Sequence, residues 1–250
     1  MNLPTGFLSV SQIRTYLRCP QQYEYIYLRK LRPPATSSLL IGRSFHKAIE
    51  EANRAKLETG EILELENVLD VFNDTWEREK SDVEWGDEDQ GKAKDSGLIM
   101  TSHYYQEAGQ HLKPAMIEQE LSVDIGGVPF KVIIDLVERG GIIRDFKTAK
   151  RTPPADEADK SIQLTAYAIA YRELTGEEEA AAALDYTVNL KNGPKVVRLE
   201  TKIGDDRIER TERLIKGVAQ SISAGMFYPV EEGFACSFCP FRDLCKGGKS

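Results

Sequence analysis

The hydrophobic period of this chain changes near Ala115, and that switch limits the fold more than any other feature. Before it, apolar residues recur at helical spacing. Leu40, Ile41, Phe45 and Ile49 lie within one such stretch, Leu39 to Leu57, and Leu63 to Lys80 and Lys92 to Leu112 read the same way. Ser11 is placed to cap a first helix ending at Arg18, and Pro20 suits the first turn of the next. After the switch, alternation takes over. Leu121, Val123 and Ile125 alternate with polar residues up to Gly126-Gly127, and Phe130 to Val137 is a strongly β-favouring run. Arg139-Gly140-Gly141 follows, then Ile142 to Thr148, which predicts three successive antiparallel strands. Ser161 to Leu174 reads as a helix, Ala181 to Leu190 and Val196 to Thr201 as a hairpin around Asn192-Gly193, and Asp205 to Ala224 as a final helix. One α/β domain over residues 1–250 is expected, with a helical lobe at 36–114 and a core at 115–224.

Charge looks at first like an argument against nucleic acid. The 250 residues carry a net charge of −7, and phosphate binding needs positive surface. The deficit is local, however. Residues 50–95 hold 16 acidic and 6 basic side chains, −10, which leaves +3 on the remainder. Ser11 to Ala35 holds Arg14, Arg18, Arg29, Lys30 and Arg32 against Glu24, and Cys236 to Ser250 holds Arg242, Lys246 and Lys249 against Asp243. A basic face and an acidic helical lobe are one reading, and an ordinary solvated surface is the other. No apolar run approaches the roughly 20 residues that span a bilayer, so no membrane partner is expected.

The stretch from Val132 to Lys150 carries the chemistry. Asp135 interrupts an apolar strand, Val132-Ile133-Ile134 before it and Leu136-Val137 after it. A carboxylate there is costly unless paired or bound to a cation. Asp145 and Lys147, two apart on the next strand, share a face about 6.5 Å apart along it. Register decides whether Asp135 joins them. A two-residue Gly140-Gly141 turn pairs residues whose numbers sum to 281 and puts the aspartates on opposite faces. A three-residue loop, Arg139 to Gly141, gives a sum of 280 and sets Asp135 against Asp145, with Cβ atoms about 5 Å apart. Two such carboxylates with a lysine suit Mg²⁺ or Mn²⁺ held by hard oxygen ligands. A cross-strand ion pair on a solvated sheet face is the alternative.

Asp135 followed by Asp145-Phe146-Lys147 resembles the PD-(D/E)XK nuclease superfamily in its RecB-like branch. Gly42-Arg43-Ser44-Phe45-His46 resembles that branch's G-x-x-x-H motif, and Gln163 with Tyr167 its Q-x-x-x-Y motif, in the family's order. Ile134 stands where the superfamily name has proline, and Val132 where the branch often has glycine. The resemblance implies a central mixed β-sheet of restriction-endonuclease-like type flanked by helices. It implies a metal-dependent DNA exonuclease acting on single-stranded DNA or DNA ends. His46, Asp135, Asp145 and the Phe146 backbone carbonyl would hold the ion, Lys147 would assist the nucleophile, and Gln163 and Tyr167 would place the strand. Glu118 is a further acid at this site, with Glu120 as its rival. A DNA-end-processing partner in CRISPR adaptation or phage recombination is the alternative role.

Cys19, Cys236, Cys239 and Cys245 are the four cysteines, the last three in a C-x₂-C-x₅-C tail. Such a set suits a metal centre in a reducing, cytoplasmic setting better than disulfides, with Zn²⁺ and iron–sulfur both open from the residues alone. The spacing resembles that of the iron–sulfur RecB-like nucleases, including AddB-type domains and CRISPR-associated adaptation nucleases, which implies a [4Fe–4S] cluster joining segments 1–35 and 225–250.

Overall fold

The computed structural model describes residues 3–231 and 234–247. Lys249, counted above in the basic tail, lies outside them. The strands are β1 Leu8–Ser9, β2 Pro114–Ile125, β3 Val128–Glu138, β4 Ile142–Ala149, β5 Ala181–Leu190 and β6 Gly193–Thr201. The α-helices are α1 Val10–Arg18, α2 Pro20–Tyr23, α3 Ser37–Glu58, α4 Leu65–Glu79, α5 Gln90–Glu107, α6 Glu157–Lys160, α7 Ile162–Thr175, α8 Asp205–Ser223, α9 Phe234–Ser237 and α10 Arg242–Cys245. The chain divides into two compact units. Ala35–Gln119 and Ile133–Ile203 make one, here the sheet unit. Met1–Pro34, Glu120–Val132 and Gly204–Ser250 make the other, the terminal unit. The helical segment 36–114 falls in the same unit as strands β4 to β6. It shares a core with the strands, because Phe45, Phe72, Trp76 and Tyr104 of α3, α4 and α5 bury their rings in one cluster with Leu136 and Phe146.

In the sheet unit the strand order is β3-β4-β5-β6, with β2 paired to β3. β3 and β4 run antiparallel, β4 and β5 parallel, and β5 and β6 antiparallel, so the sheet is mixed. The parallel step needs a crossover, and α6 and α7 supply it. Ser161 caps α7 by accepting the Leu164 N–H at 3.2 Å, and Gly176 ends it at φ 73. Alternation sorts the two faces. Phe146 and the facing Asp185 point toward α5, whose Tyr104 ring lies 5.7 Å from that of Phe146 and whose hydroxyl donates to Asp185 at 3.0 Å. Asp145 and Lys147 point the other way, toward α7.

Helix packing on the first face is tight enough to test. A Cβ built on Gly97 of α5 would lie 2.4 Å from the Phe72 ring of α4, inside any allowed contact. Gly97→Ala is expected to lower stability by about 1–3 kcal/mol through overpacking, despite alanine's better helix propensity. Urea unfolding checks it, and an unchanged or raised midpoint would contradict it.

In the terminal unit β1 lies parallel to the start of β3, Leu8 opposite Phe130 and Ser9 opposite Lys131. That strand holds Ser9 extended, so the cap of α1 is Ser9, accepting the Gln12 N–H at 3.4 Å, and not Ser11. α2 continues into a π-helical turn over Glu24–Leu28. Aromatic rings then join the two ends of the chain. Tyr23 packs against Tyr16 at 5.7 Å and Phe227 at 6.0 Å, Tyr25 packs against Phe241 at 5.4 Å, and the Tyr16 hydroxyl donates to the Met226 carbonyl at 2.8 Å. Among the described residues no helix is long and apolar enough to cross a membrane.

Candidate active site

The β3–β4 ladder pairs Glu138 with Ile142, Val137 with Ile143 and Leu136 with Arg144. Each pair sums to 280, the register of a three-residue loop, and Gly140 and Gly141 take φ 97 and 80 to turn it. Asp135 comes next on β3, and its Oδ2 accepts the Phe146 N–H at 2.9 Å in the position of a strand partner. The carboxylate thus sits at the mouth of the ladder, 8% exposed, with Asp145 fully buried beside it.

From there a continuous chain of polar contacts spans three elements. His46 on α3 places Nδ1 3.5 Å from Asp135 Oδ2 and Nε2 2.7 Å from the Phe146 carbonyl. A carbonyl only accepts, so Nε2 carries a proton toward Phe146, and Nδ1 faces Asp135. Tyr167 on α7 reaches Asp135 Oδ1 and Asp145 Oδ1, each at 3.4 Å, and accepts from Gln163 Nε2 at 2.8 Å. Gln163 Oε1 in turn accepts from Lys147 Nζ at 3.2 Å, and Lys147 Nζ lies 2.5 Å from Asp145 Oδ2. That last approach is an ion pair without an aligned hydrogen bond, and Asp145 Oδ2 is otherwise a buried acceptor with no partner.

Glu118 completes the group. Its backbone stands at φ 45, the left-handed region, inside β2. Such a conformation costs a non-glycine residue about 1–3 kcal/mol. Its carboxylate, with His46 and Asp135, presents donor atoms all within 4.8 Å of one another. Among the described residues this is the set that closes to that spacing, and Asp145 is not part of it. Around the expected set of His46, Asp135, Asp145 and the Phe146 carbonyl, the geometry brings Glu118 to His46 and Asp135, engages Asp145 with Lys147 and Tyr167, and has the Phe146 carbonyl accept from His46. The rival acid Glu120 stands apart, 61% exposed and paired with Lys131 at 3.3 Å.

Burial and like charge oppose ionisation of Asp135 and Glu118. Burial, then Asp145, pushes Asp135 up to about 6, against the opposing pull of His46, Lys147 and the Phe146 N–H. Burial, then Asp135 and Glu50, pushes Glu118 up to about 8. A divalent cation reverses both effects. Hard oxygen donors and one imidazole nitrogen fit Mg²⁺ or Mn²⁺ chemically. Burial, then the two aspartates, holds the Tyr167 hydroxyl well above its usual range, so it stays a donor.

The group opens into a cleft of about 630 Å³ lined also by Gly42, Arg43, Lys47, Arg78 and Glu79. Of these, Gly42 and Arg43 belong to the G-x-x-x-H motif, while Lys47, Arg78 and Glu79 carry no sequence signal, and neither does Arg144. Arg144 alternates away from Asp145 and is buried against Glu138 and Asp185, 3.3 Å from the latter. Tyr167→Phe is expected to lower turnover about tenfold by removing a donor shared by two carboxylates, while Gln163 still reaches Lys147. A rate within twofold of wild type would show that the hydroxyl is dispensable.

The four cysteines lie in the terminal unit as free thiols lining one small cavity with Arg18 and Arg242. Burial raises the Cys245 thiol, with Cys19, Cys236 and Cys239 adding to the rise and Tyr25 opposing it. The sulfurs converge, yet they do not stand in the arrangement of a cluster.

Comparison with known proteins places these observations. Residues 7–246 match the model of the PD-(D/E)XK nuclease superfamily. The Gene 69 protein of Mycobacterium phage L5 is 26% identical over 284 residues, and the Gene 69 protein of Mycobacterium phage D29 29% identical over 266. Each comparison covers 95% of this chain and 95% of the relative. A crystal structure of a candidate exonuclease from Eubacterium rectale matches 98% of this chain and 89% of its own at a TM-score of 0.67 and 11% identity, a likeness of fold.

Proposed function

This chain belongs to the PD-(D/E)XK nuclease superfamily, and on that premise we propose that it is a divalent-metal-dependent DNA exonuclease acting on single-stranded ends, of the RecB-like iron–sulfur branch. The observation that carries the reading is the polar chain from Glu118 and His46 through Asp135 and Tyr167 to Asp145, Lys147 and Gln163, of which Glu118, His46, Asp135, Lys147 and Tyr167 line one cleft. Mg²⁺ or Mn²⁺ on Glu118, His46 and Asp135 would supply an activated water and neutralise charge on the phosphodiester. Lys147, held by Asp145 and Gln163, brings a cation to the same place and stabilises negative charge as it develops on phosphorus. Gln163 and Tyr167 fix Lys147 and the carboxylates relative to α7. The test is digestion of 5′- and 3′-labelled single and double strands with each metal. Metal-dependent release of mononucleotides from one end of single strands supports the reading, and intact strands in Mn²⁺ overturn it.

The iron–sulfur assignment rests on the convergence of all four thiols on one cavity and on the tail spacing. Iron and sulfide analysis of anaerobically purified protein tests it, and a colourless, zinc-loaded sample overturns it. A phage recombination setting is favoured over CRISPR adaptation, because the two curated relatives described above are phage proteins.

A further inference from the structure

We propose that Arg43 and Arg78 form a subsite for a backbone phosphate of the substrate strand beside the metal group, and that Glu79 fills it as a counter-ion until the strand arrives. The inference rests on the nuclease reading above.

Both arginines line the cleft that holds His46, Asp135 and Lys147. Arg43 lies three residues before His46 on α3, one turn away on the same side of the helix. Arg78 comes from the last turn of α4. Glu79 bridges the two helices. Its Oε2 is 3.4 Å from Arg43 Nη1, and its Oε1 is 3.2 Å from Arg78 Nη2.

The other charges in the cleft explain why this pair matters. Glu50, Glu118 and Asp135 are acidic, and a polyanionic strand meets them as it approaches. Lys47 is held by Glu50 at 3.0 Å and Glu51 at 2.6 Å on its own helix, and Arg54 by Glu50 at 2.7 Å. Each of those cations is matched by carboxylates. Arg43 and Arg78 instead share one carboxylate between two guanidinium groups, so this edge of the cleft carries a net positive charge. The guanidinium side chains are 55% and 62% exposed and Glu79 25%. Ion pairs so exposed are weak, and guanidinium forks match phosphate as well as carboxylate. Exchanging Glu79 for a phosphate is therefore easy, and two helices would then grip the strand next to the metal group.

The experiment measures binding of a labelled oligothymidine by fluorescence anisotropy in Ca²⁺ across a salt series, with KM for cutting in Mn²⁺. Arg43→Ala and Arg78→Ala should each weaken binding about tenfold and flatten the plot of log affinity against log salt by about 0.7, the loss of one single-strand phosphate contact. Glu79→Gln should tighten binding about two- to fivefold, a gain that a folding defect does not produce. Wild-type protein that binds and cuts, with arginine variants unchanged in affinity and slope, overturns the subsite and leaves the nuclease reading intact. A Glu79→Gln variant that binds more weakly overturns the counter-ion role. Wild-type protein that neither binds nor cuts the strand overturns the nuclease reading, and the subsite with it.

Discussion

Asp135→Asn is expected to abolish cutting, by about 10³-fold or more, while making the metal-free protein more stable. The loss follows from its place in the metal group. A catalytic ion contributes several kcal/mol of transition-state stabilisation, at 1.36 kcal/mol per decade of rate, and asparagine removes the charge that Glu118 and His46 cannot replace. The gain in stability follows from the same charge. Asp135 is raised from 3.8 to about 6 in the folded protein, so the folded state holds its proton more tightly than the unfolded one. Stability of the metal-free protein therefore falls as pH rises from about 4 through 6, by an upper bound of about 3 kcal/mol at 1.36 kcal/mol per unit. Glu118, raised from 4.5 to about 8, extends the same fall upward. Asparagine keeps an oxygen for the Phe146 N–H and removes the like charge beside Asp145 and Glu118. Thermal unfolding in EDTA at pH 8 should show a higher midpoint for the variant, and Mn²⁺ should stabilise wild type alone. A variant less stable than wild type in EDTA would refute this account of the raised carboxylates.

Lys147→Ala is expected to cut the rate about 10²–10³-fold with the Mn²⁺ dependence of the remaining activity in place. Lys147 touches Asp145 and Gln163, whereas the proposed metal donors are Glu118, His46 and Asp135. Its effect on stability is opposite to that of Asp135→Asn. Asp145 is fully buried and its Oδ2 has no hydrogen bond, so losing the ammonium leaves a buried acceptor alone, at about 1–3 kcal/mol. Isothermal titration with Mn²⁺ separates the roles. Unchanged cutting by the variant, or a Mn²⁺ affinity reduced as far as by Asp135→Asn, would sink the division of labour between the two sides of the site.

The β-hairpin that carries the site was legible because side-chain alternation leaves two registers for a short loop, and one of them puts both aspartates on a face. The helix starts at Ser161 and Asp205 were legible because serine and aspartate are strong first-turn residues. Glu118 against Glu120 was not decidable by that logic, since residues two apart on a strand share a face. The left-handed backbone at Glu118 breaks the alternation and turns it toward His46 and Asp135, and no residue type announces it. Arg78 and Glu79 escaped for another reason: both belong to the acidic stretch whose summed charge hid the local excess of cations. The division into two units escaped because burial of α3–α5 against Phe146 depends on packing, which periodicity does not encode. Ser9 rather than Ser11 caps α1 because a distant strand, Phe130–Lys131, holds Ser9 extended.

The two units draw on interleaved stretches of the chain, and this has a consequence for synthesis. The sheet unit is complete at Ile203, whereas the terminal unit begins at the first residues and takes in Gly204–Ser250. Every residue of the metal group and of its supporting helix, from His46 to Tyr167, is made before Cys236. A nascent chain translated as far as Ile203 thus contains the whole proposed hydrolytic centre and one of four cysteines. The order of manufacture is catalytic scaffold first, thiol cavity last, and every chain passes through that half-made state.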